Sequence, residues 1–222
     1  MIPVITLDGP GGVGKGTISQ RLAAELGWHY LDSGALYRVL AWCALEQHLD
    51  LTDSTALVAL ARHRRIEFTP DGRIEVDQRD ISGLIRTEAC ASAASQIAVL
   101  APVREALLAL QHHFCQPPGL VAEGRDMGSV VFASAAVKLF LTASLEERAK
   151  RRYKQLKEKG NDVTLSAIFN EVGIRDNRDQ ERAAAPLQAA SDAVIVDTTT
   201  LDIEQVFAVV RQVVMNAGIV FG

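Results

Sequence analysis

The chain of 222 residues lacks the features of secreted, membrane-spanning and zinc-binding proteins. Its three cysteines, Cys43, Cys90 and Cys115, are widely spaced without a C-x-x-C pair, which indicates core thiols rather than a disulfide framework or a zinc site. The apolar run at its start is shorter than the roughly 20 residues of a membrane-spanning helix, and no basic segment precedes it. The five histidines are not spaced as metal ligands. We therefore expect a cytoplasmic protein without membrane contact.

An excess of basic residues is also missing, because 23 Lys and Arg stand against 27 Asp and Glu. The resulting net charge of −4 argues against nucleic-acid binding. The charge is uneven, however, since residues 148–182 hold 10 of the 23 basic residues and only 6 of the 27 acidic ones. A local basic patch in an acidic protein predicts a small polyanionic ligand.

A glycine-rich segment after the first apolar run carries the strongest functional signal. Residues 9–17 read GPGGVGKGT and lie between a predicted strand and a predicted helix. Such a P-loop turns backbone N–H groups toward an anion, the positive end of the helix points to the same place, and Lys15 can follow a phosphate. The predicted triphosphate site comprises Gly9, Pro10, Gly11, Gly12, Val13, Gly14, Lys15, Gly16 and Thr17. The common pattern has serine or threonine where Gly16 stands; the alternative is a glycine-rich turn with a solvated lysine.

Apolar strand patterns alternate with helical patterns along the rest of the chain. Strands of the main sheet are expected at residues 2–7, 28–31, 120–122, 137–141 and 193–196. Helices are expected at residues 18–26, 36–49, 55–62, 87–99, 102–115, 145–159, 164–183 and 203–215, with Pro186 ending the seventh. Residues 66–81 predict a small antiparallel hairpin insert with its turn at residues 70–72. The pattern indicates an α/β three-layer sandwich with a mostly parallel five-stranded sheet.

Two polar clusters follow predicted strands, where sheets of this class bind ligands. Residues 32–38, DSGALYR, offer a hydroxyl and an arginine for a second phosphate, although Asp32 or Ser33 could instead cap a helix while Arg38 is solvated. Residues 123–126, EGRD, place Arg125, which can grip phosphate, next to Asp126, which can accept hydrogen bonds from a sugar or a base. The alternative for the second cluster is an Arg–Asp surface pair.

A third cluster is basic and helical. Arg175, Arg178 and Arg182 are spaced three and four apart and are predicted to share a helical face, and Arg148 and Arg152 form a similar pair one helix earlier. Such runs usually form a solvated, salt-bridged face. Beside a triphosphate site, however, arginines stabilise the charge of a moving phosphoryl group. We expect these two helices to form a lid that excludes water.

Taken together, these motifs resemble the bacterial cytidylate kinases, a family of P-loop nucleoside monophosphate kinases, over nearly the whole chain. The matching segments are GPGGVGKGT at 9–17, LDSGALYR at 31–38, AASQIA at 93–98, PVREALL at 102–108, EGRDMGSVVF at 123–132 and RDNRDQERAAAPL at 175–187. The first is shared by many kinases, whereas the second, fifth and sixth are far more specific as a set. The resemblance implies transfer of the ATP γ-phosphate to CMP or dCMP with Mg²⁺.

The resemblance also implies roles for individual residues. Lys15 would bridge phosphates, and Arg175 and Arg182 would clamp the transferring group. The implied acceptor contacts are Ser33 and Asp126 to cytosine or ribose, Ser95 and Arg104 near the base, Arg38 and Arg125 to the phosphate, and Asp179 near the sugar. The metal ligands and the role of Glu123, where some family members have Asp, stay open.

A single kinase domain is expected, with a core at about 1–31, 100–147 and 184–222, a monophosphate-binding region at about 32–99 and a lid at about 148–183. The small insert resembles the extra sheet of the family's monophosphate-binding region. We expect a monomer, because no apolar stripe is left over for a partner.

Two other functions stay open on the residues alone. One is a kinase for UMP, AMP or a small non-nucleotide alcohol. The other is a GTP-binding switch, although the guanine motif N-K-x-D is absent and only a short D-x-x-G match occurs at residues 80–83.

Overall fold

Short strands and longer helices alternate along the chain, as the apolar periodicity predicts. The strands are β1 Val4–Asp8, β2 His29–Asp32, β3 Ile66–Phe68, β4 Ile74–Val76, β5 Arg79–Asp80, β6 Leu120–Gly124, β7 Val137–Thr142 and β8 Val194–Asp197. The helices are α1 Lys15–Leu26, α2 Ser33–Glu46, α3 Ser54–His63, α4 Glu88–Ile97, α5 Ala101–His113, α6 Leu145–Glu158, α7 Leu165–Gln180 and α8 Ile203–Asn216. The computed structural model describes residues 2–68, 73–158, 160–182 and 184–221.

Backbone contacts divide the chain into two units. The first unit combines Met1–Asp32 with His112–Gly222, and the second is Ser33–Gln111. Each unit has its own apolar core of buried side chains. The second unit is therefore one continuous segment, which the chain enters after Asp32 and leaves after Gln111.

A parallel sheet forms the centre of the first unit. Its strand order is β2-β6-β1-β7-β8, and all four strand pairs are parallel. Every residue of β1 and β6 is buried, as expected of central strands that are covered on both faces. Helices α1 and α8 pack against the sheet and against each other, with Ile18, Leu22 and Val210 in the shared core. The predicted α/β fold with a five-stranded sheet is confirmed.

The second unit combines helices with a small antiparallel sheet. Helix α2 packs against α4 and α3, and the apolar faces of these helices enclose a core that includes Leu40, Leu57 and Ile97. The small sheet has the order β3-β4-β5, with antiparallel pairing throughout. It confirms the antiparallel insert and adds β5, which the sequence pattern did not predict. The predicted turn at residues 70–72 lies outside the described residues.

Some sequence expectations about helix ends and thiols need correction. Helix α7 ends at Gln180, so Pro186 does not end it and Arg182 lies beyond the helix. Cys43 and Cys90 are buried core thiols as expected. Cys115 is only partly buried and follows the end of α5, which is two residues earlier than predicted.

A helix that spans a membrane needs both sufficient length and sufficient apolarity. Among the described residues, no single helix reaches both. Helices α4 and α5 do so only as a pair, and they bend by 104° at their junction.

A strained turn joins β4 to β5 and offers a test of the local backbone. Asp77 and Gln78 have φ angles of 50° and 70°, in the left-handed region that glycine adopts at little steric cost. The Asp77 carboxylate accepts hydrogen bonds from Arg64 and from the backbone N–H of Arg65, whereas the Gln78 side chain is exposed. Strain at Asp77 is therefore offset locally.

We predict that Gln78→Gly stabilises the protein by about 0.5–1 kcal/mol, because glycine removes a steric cost of about 1–2 kcal/mol and adds a smaller entropic one. Denaturant unfolding of the variant and the parent measures the difference. Gln78→Ala is the matched control, since it shortens the side chain and keeps the strain. Equal stability of the glycine and alanine variants would contradict the prediction.

Candidate phosphate and nucleotide site

The loop between β1 and α1 adopts a backbone that only glycine tolerates at several positions. Gly9, Gly12 and Gly14 have φ angles of 141°, 83° and 94°. A side-chain carbon at Gly9 would overlap the carbonyl group of Leu141, and one at Gly12 would lie 3.1 Å from Cβ of Arg148. The glycines therefore allow both the turn and its close packing. Because α1 begins directly after Gly14, the first N–H groups of the helix, which have no partner within the helix, lie at the loop together with the positive helix end.

Lys15 lies inside this loop. Its Nζ donates hydrogen bonds of 2.8 Å to the carbonyl oxygens of both Gly9 and Pro10, and the side chain is buried. Burial, followed by the positive charge of Arg125, lowers the pKa of Lys15 from 10.5 to about 7, although the Glu123 carboxylate acts in the opposite direction. Burial thus makes the charged form of this ammonium group unfavourable, and a bound anion would stabilise that charge.

Asp8, at the end of β1, fixes the segment that contains Asp126. Its carboxylate accepts hydrogen bonds of 2.8 Å from the backbone N–H groups of Met127 and Gly128, which begin a π-helical turn, Met127–Val131. Burial raises the pKa of Asp8 to about 6, while the two backbone hydrogen bonds lower it. Asp126 itself is buried at the start of this turn. The end of β1 and the EGRD segment are therefore held together.

Glu123 lies beside Gly16, the position where the loop departs from the common pattern. A side-chain carbon at Gly16 would be 3.3 Å from Oε1 of Glu123, and the hydroxyl of Tyr30 donates a hydrogen bond to the same oxygen. Burial, followed by the negative charge of Asp32, raises the pKa of Glu123 to about 7, while Lys15 lowers it. The glycine thus leaves room for a carboxylate next to the first turn of α1.

A buried aspartate lies between two of the predicted phosphate-binding arginines. Nε of Arg125 donates to Oδ2 of Asp179 at 2.7 Å, and Arg182 donates to Oδ1 of the same carboxylate. Burial raises the pKa of Asp179, but Arg125 and Arg182 outweigh it and the net shift is downward. The surface pair of Arg125 with Asp126 is therefore wrong as an interpretation. Arg175 contributes positive charge, which lowers the pKa values of both Lys15 and Asp179.

Arg148, outside the predicted site, anchors the loop to α6 and α7. Its guanidinium donates to the carbonyls of Ala143 and Gly11, at 3.0 and 3.3 Å, and forms an ion pair of 2.6 Å with Asp176. The side chain is buried, so the solvated face considered for this helix is wrong at this position. The sequence identified Arg148 only as one of a pair of basic residues on a helix and gave no sign of its contact with the loop.

The remaining predicted residues lie in the second unit, and the structure gives each a local environment. Ser33 begins α2, and its buried hydroxyl donates to Oε1 of Gln111 at 2.8 Å. Arg38 donates to the Ile85 carbonyl at 3.0 Å, so it is not simply solvated. Gln111 was not predicted, because a single glutamine on an apolar helix matches no motif.

Ser95 and Arg104 belong to neighbouring helices of the same unit. The hydroxyl of Ser95 on α4 is buried and has no hydrogen-bond partner among the described residues. Arg104 on α5 donates to the Ala98 carbonyl at 3.4 Å. A buried hydroxyl without a protein partner is what a ligand-binding position would show, because such a group otherwise loses its hydrogen bonds to water.

The structure distributes the predicted residues between the two units. The first unit holds the loop with Lys15, together with Arg125, Asp126, Arg175, Asp179 and Arg182. The second unit holds Ser33, Arg38, Ser95 and Arg104. Within the first unit, Arg125, Asp179 and Arg182 are brought into direct contact, which the sequence spacing did not predict.

Comparison with known proteins supports the same family as the motifs. The sequence profile of the cytidylate kinase family matches residues 5–216. The chain is 55% identical over 208 residues to a cytidylate kinase of Klebsiella pneumoniae strain 342, with 92% of each chain covered. It is 53% identical over 213 residues to that of Aeromonas salmonicida strain A449, covering 95% of this chain and 93% of the relative. It is 52% identical to that of Methylococcus capsulatus strain Bath, covering 97% and 98%. With a glycine loop, a buried lysine and paired arginines in one unit, and a match across both units, the chain belongs to the cytidylate kinase family.

Proposed function

We propose that this protein transfers the γ-phosphate of ATP to CMP or dCMP, giving ADP and CDP or dCDP, as a monomeric cytoplasmic enzyme of pyrimidine nucleotide metabolism. The proposal rests on the chain's membership of the family, because a cytidylate kinase is 55% identical to it over 92% of its length. The reaction joins an oxygen of the acceptor phosphate to the γ-phosphorus and breaks the bond to the β–γ bridging oxygen. That acceptor oxygen is already ionised near pH 7, so no strong general base is needed.

The glycine loop is proposed to hold the ATP phosphates. Its N–H groups and the start of α1 favour negative charge. Lys15 now donates to two loop carbonyls, and incoming phosphate oxygens would replace these neutral acceptors by charged ones, which form stronger hydrogen bonds. Lys15 then follows the phosphoryl group as it moves.

The arginines are proposed to bind the acceptor phosphate and the transferring group. Arg125 and Arg38 would hold the acceptor phosphate, whereas Arg175 and Arg182 would neutralise the charge that builds up on the moving group. The contact of Asp179 with both Arg125 and Arg182 supports this assignment, because it aims two guanidinium groups before any substrate binds. Helices α6 and α7 would act as the lid.

The nucleoside of the acceptor is proposed to contact several polar side chains. Ser33 and Asp126 would contact the cytosine or the ribose, Ser95 and Arg104 would lie near the base, and Asp179 near the sugar. The buried Ser95 hydroxyl supports its part of this proposal, since a ligand would supply the hydrogen bond that the described residues do not.

Mg²⁺ is proposed to accompany the ATP phosphates. Among the described residues, no three histidine, cysteine or acidic side chains cluster as a protein metal cage. This arrangement fits Mg²⁺, which keeps several waters and is commonly held by substrate phosphates and one or two carboxylates. The carboxylate of Glu123, which lies beside Gly16 in the first turn of α1, and that of Asp32, whose negative charge raises the pKa of Glu123, would hold it. When bound, the ion neutralises phosphate charge.

The proposed function is tested by ADP formation from ATP and Mg²⁺ with CMP, dCMP, UMP, AMP and GMP, each against a control without acceptor. We expect rapid turnover with CMP and dCMP only, because the family membership points to the cytosine nucleotides. Faster turnover of UMP, AMP or GMP would identify that nucleotide as the substrate in place of CMP and dCMP. Turnover without any acceptor would instead favour a nucleotide switch.

We predict that Arg182→Ala lowers kcat on the order of 100-fold or more, with a much smaller effect on the KM for CMP, because a charge that acts on the moving phosphoryl group matters most in the transition state. Asp179 keeps Arg125 as its partner in this variant. Steady-state kinetics with CMP provides the measurement. Arg62→Ala, an exposed arginine of α3, is the control, and an unchanged kcat in Arg182→Ala would refute the role.

The lowered pKa of Lys15 predicts proton uptake on ATP binding. Below pH 7 the ammonium group is already charged; above pH 7 the free protein loses the proton, and the bound phosphates restore it, so affinity falls as pH rises. Phosphate pKa values of about 6 leave the nucleotide ionised at pH 8. Calorimetry without Mg²⁺ in two buffers of different ionisation enthalpy should detect up to one proton per ATP. Lys15→Arg stays charged and should take up none; equal uptake in both proteins would exclude Lys15 as the source.

A further inference from the structure

Two buried polar side chains of the second unit are joined by a hydrogen bond that the proposed reaction does not use. Ser33 and Gln111 are only 3% and 2% exposed. The hydroxyl of Ser33 donates to Oε1 of Gln111 at 2.8 Å, although the two residues are 78 positions apart. The bond therefore links the start of α2 to the last turn of α5.

The amide of Gln111 is oriented by its own helix. Its Nε2 donates to the carbonyl of Leu107 at 3.4 Å, one turn earlier. Only the NH₂ group can donate to that carbonyl, so the opposite atom of the amide, which faces Ser33, is the oxygen. An amide oxygen accepts and does not donate. The single proton of the Ser33 hydroxyl is consequently committed to Gln111, and the lone pairs of that hydroxyl remain for a ligand.

We propose that Gln111 is a positioning residue that makes the Ser33 hydroxyl a hydrogen-bond acceptor toward the acceptor base and thereby selects a pyrimidine that carries an exocyclic amine. The inference rests on the proposed function, in which Ser33 contacts the acceptor nucleotide. It assigns this contact to the base and not to the ribose.

The selection follows from the donors and acceptors on the two pyrimidines. Cytosine presents an amine at its 4-position, which donates, whereas the equivalent group of a uracil base is a carbonyl oxygen, which accepts. An acceptor-only hydroxyl pairs with the amine and meets the carbonyl as a second acceptor. A buried polar group left without a partner discriminates strongly against the wrong ligand. A freely rotating hydroxyl would serve both bases, because it can donate or accept.

The test compares kcat/KM for CMP and UMP in Gln111→Leu, Gln111→Glu and the parent. Leucine removes the acceptor for the Ser33 proton, so the CMP-to-UMP ratio should fall roughly tenfold, while the KM for ATP is unchanged. Glutamate keeps an oxygen that accepts this proton, so the ratio should be largely restored. Gln212→Leu is the matched control, because Gln212 is an exposed helical glutamine whose amide bonds Asn216 four residues on.

A second variant keeps the test decisive if Gln111→Leu folds poorly. Ser33→Ala removes only the hydroxyl and should lower the CMP-to-UMP ratio by a similar factor. In the Ser33→Ala background, Gln111→Leu should change the ratio no further. An equal loss of kcat/KM for CMP and UMP, in either single variant, would make the hydrogen bond structural and overturn the inference.

The parent enzyme separates this inference from the proposed function. A parent that phosphorylates CMP well and UMP poorly, together with a Gln111→Leu variant of unchanged ratio, would overturn the role of Gln111 and leave the proposed function intact. A parent without any preference for CMP would overturn both.

Discussion

The structure keeps the positive side chains of Lys15 and Arg182 buried, and that of Arg125 partly buried, in the first unit. An unpaired buried charge costs several kcal/mol. Each of three cations has a partner that can be exchanged. Lys15 has two loop carbonyls, and Arg125 and Arg182 share the carboxylate of Asp179. If phosphates bind here as proposed, they would replace these existing partners and would not have to order the side chains anew.

The scaffold around these charges is fixed by backbone contacts as much as by side chains. Glycines allow the loop to touch the neighbouring β7 and α6, where a side-chain carbon would collide. Arg148 binds the carbonyl of Gly11 from outside, and Thr198 donates to the carbonyl of Val13 at 3.3 Å. Asp8 holds the N–H groups of the π-helical turn. Two side chains therefore hold the loop through its carbonyls, and Asp8 fixes the π-helical turn that follows the EGRD segment.

The sequence predicted the parts of the structure that repeat a pattern. The buried strands were evident because apolar runs of β-branched residues between helices have few other uses. Strand β5 was missed because it is two exposed residues long, Arg79–Asp80, and shows no alternation. The end of α7 was misplaced because a proline only limits how far a helix can continue. This helix ends at Gln180, six residues before Pro186. Local signals give the type of an element more reliably than its end.

The candidate site divides in the same way. The loop could be recognised because its function needs glycines at fixed spacing. Partners that come from distant parts of the chain could not be recognised, as for Asp179 with Arg125, Ser33 with Gln111 and Arg148 with Gly11. These contacts depend on how strands and helices pack, and no local spacing encodes them. The assigned roles of the site residues remain predictions for the experiments above.

Gly16 and Glu123 lie close together although they are far apart in the chain. A side chain at position 16 would press on the carboxylate at position 123, which the hydroxyl of Tyr30 holds from the other side. The side chains at positions 16 and 123 therefore compete for the same space. Serine at position 16 would require the Glu123 carboxylate to give by a few tenths of an ångström, and this carboxylate is also the acceptor of the tyrosine hydroxyl. Positions 16, 30 and 123 should consequently vary together as one evolutionary unit.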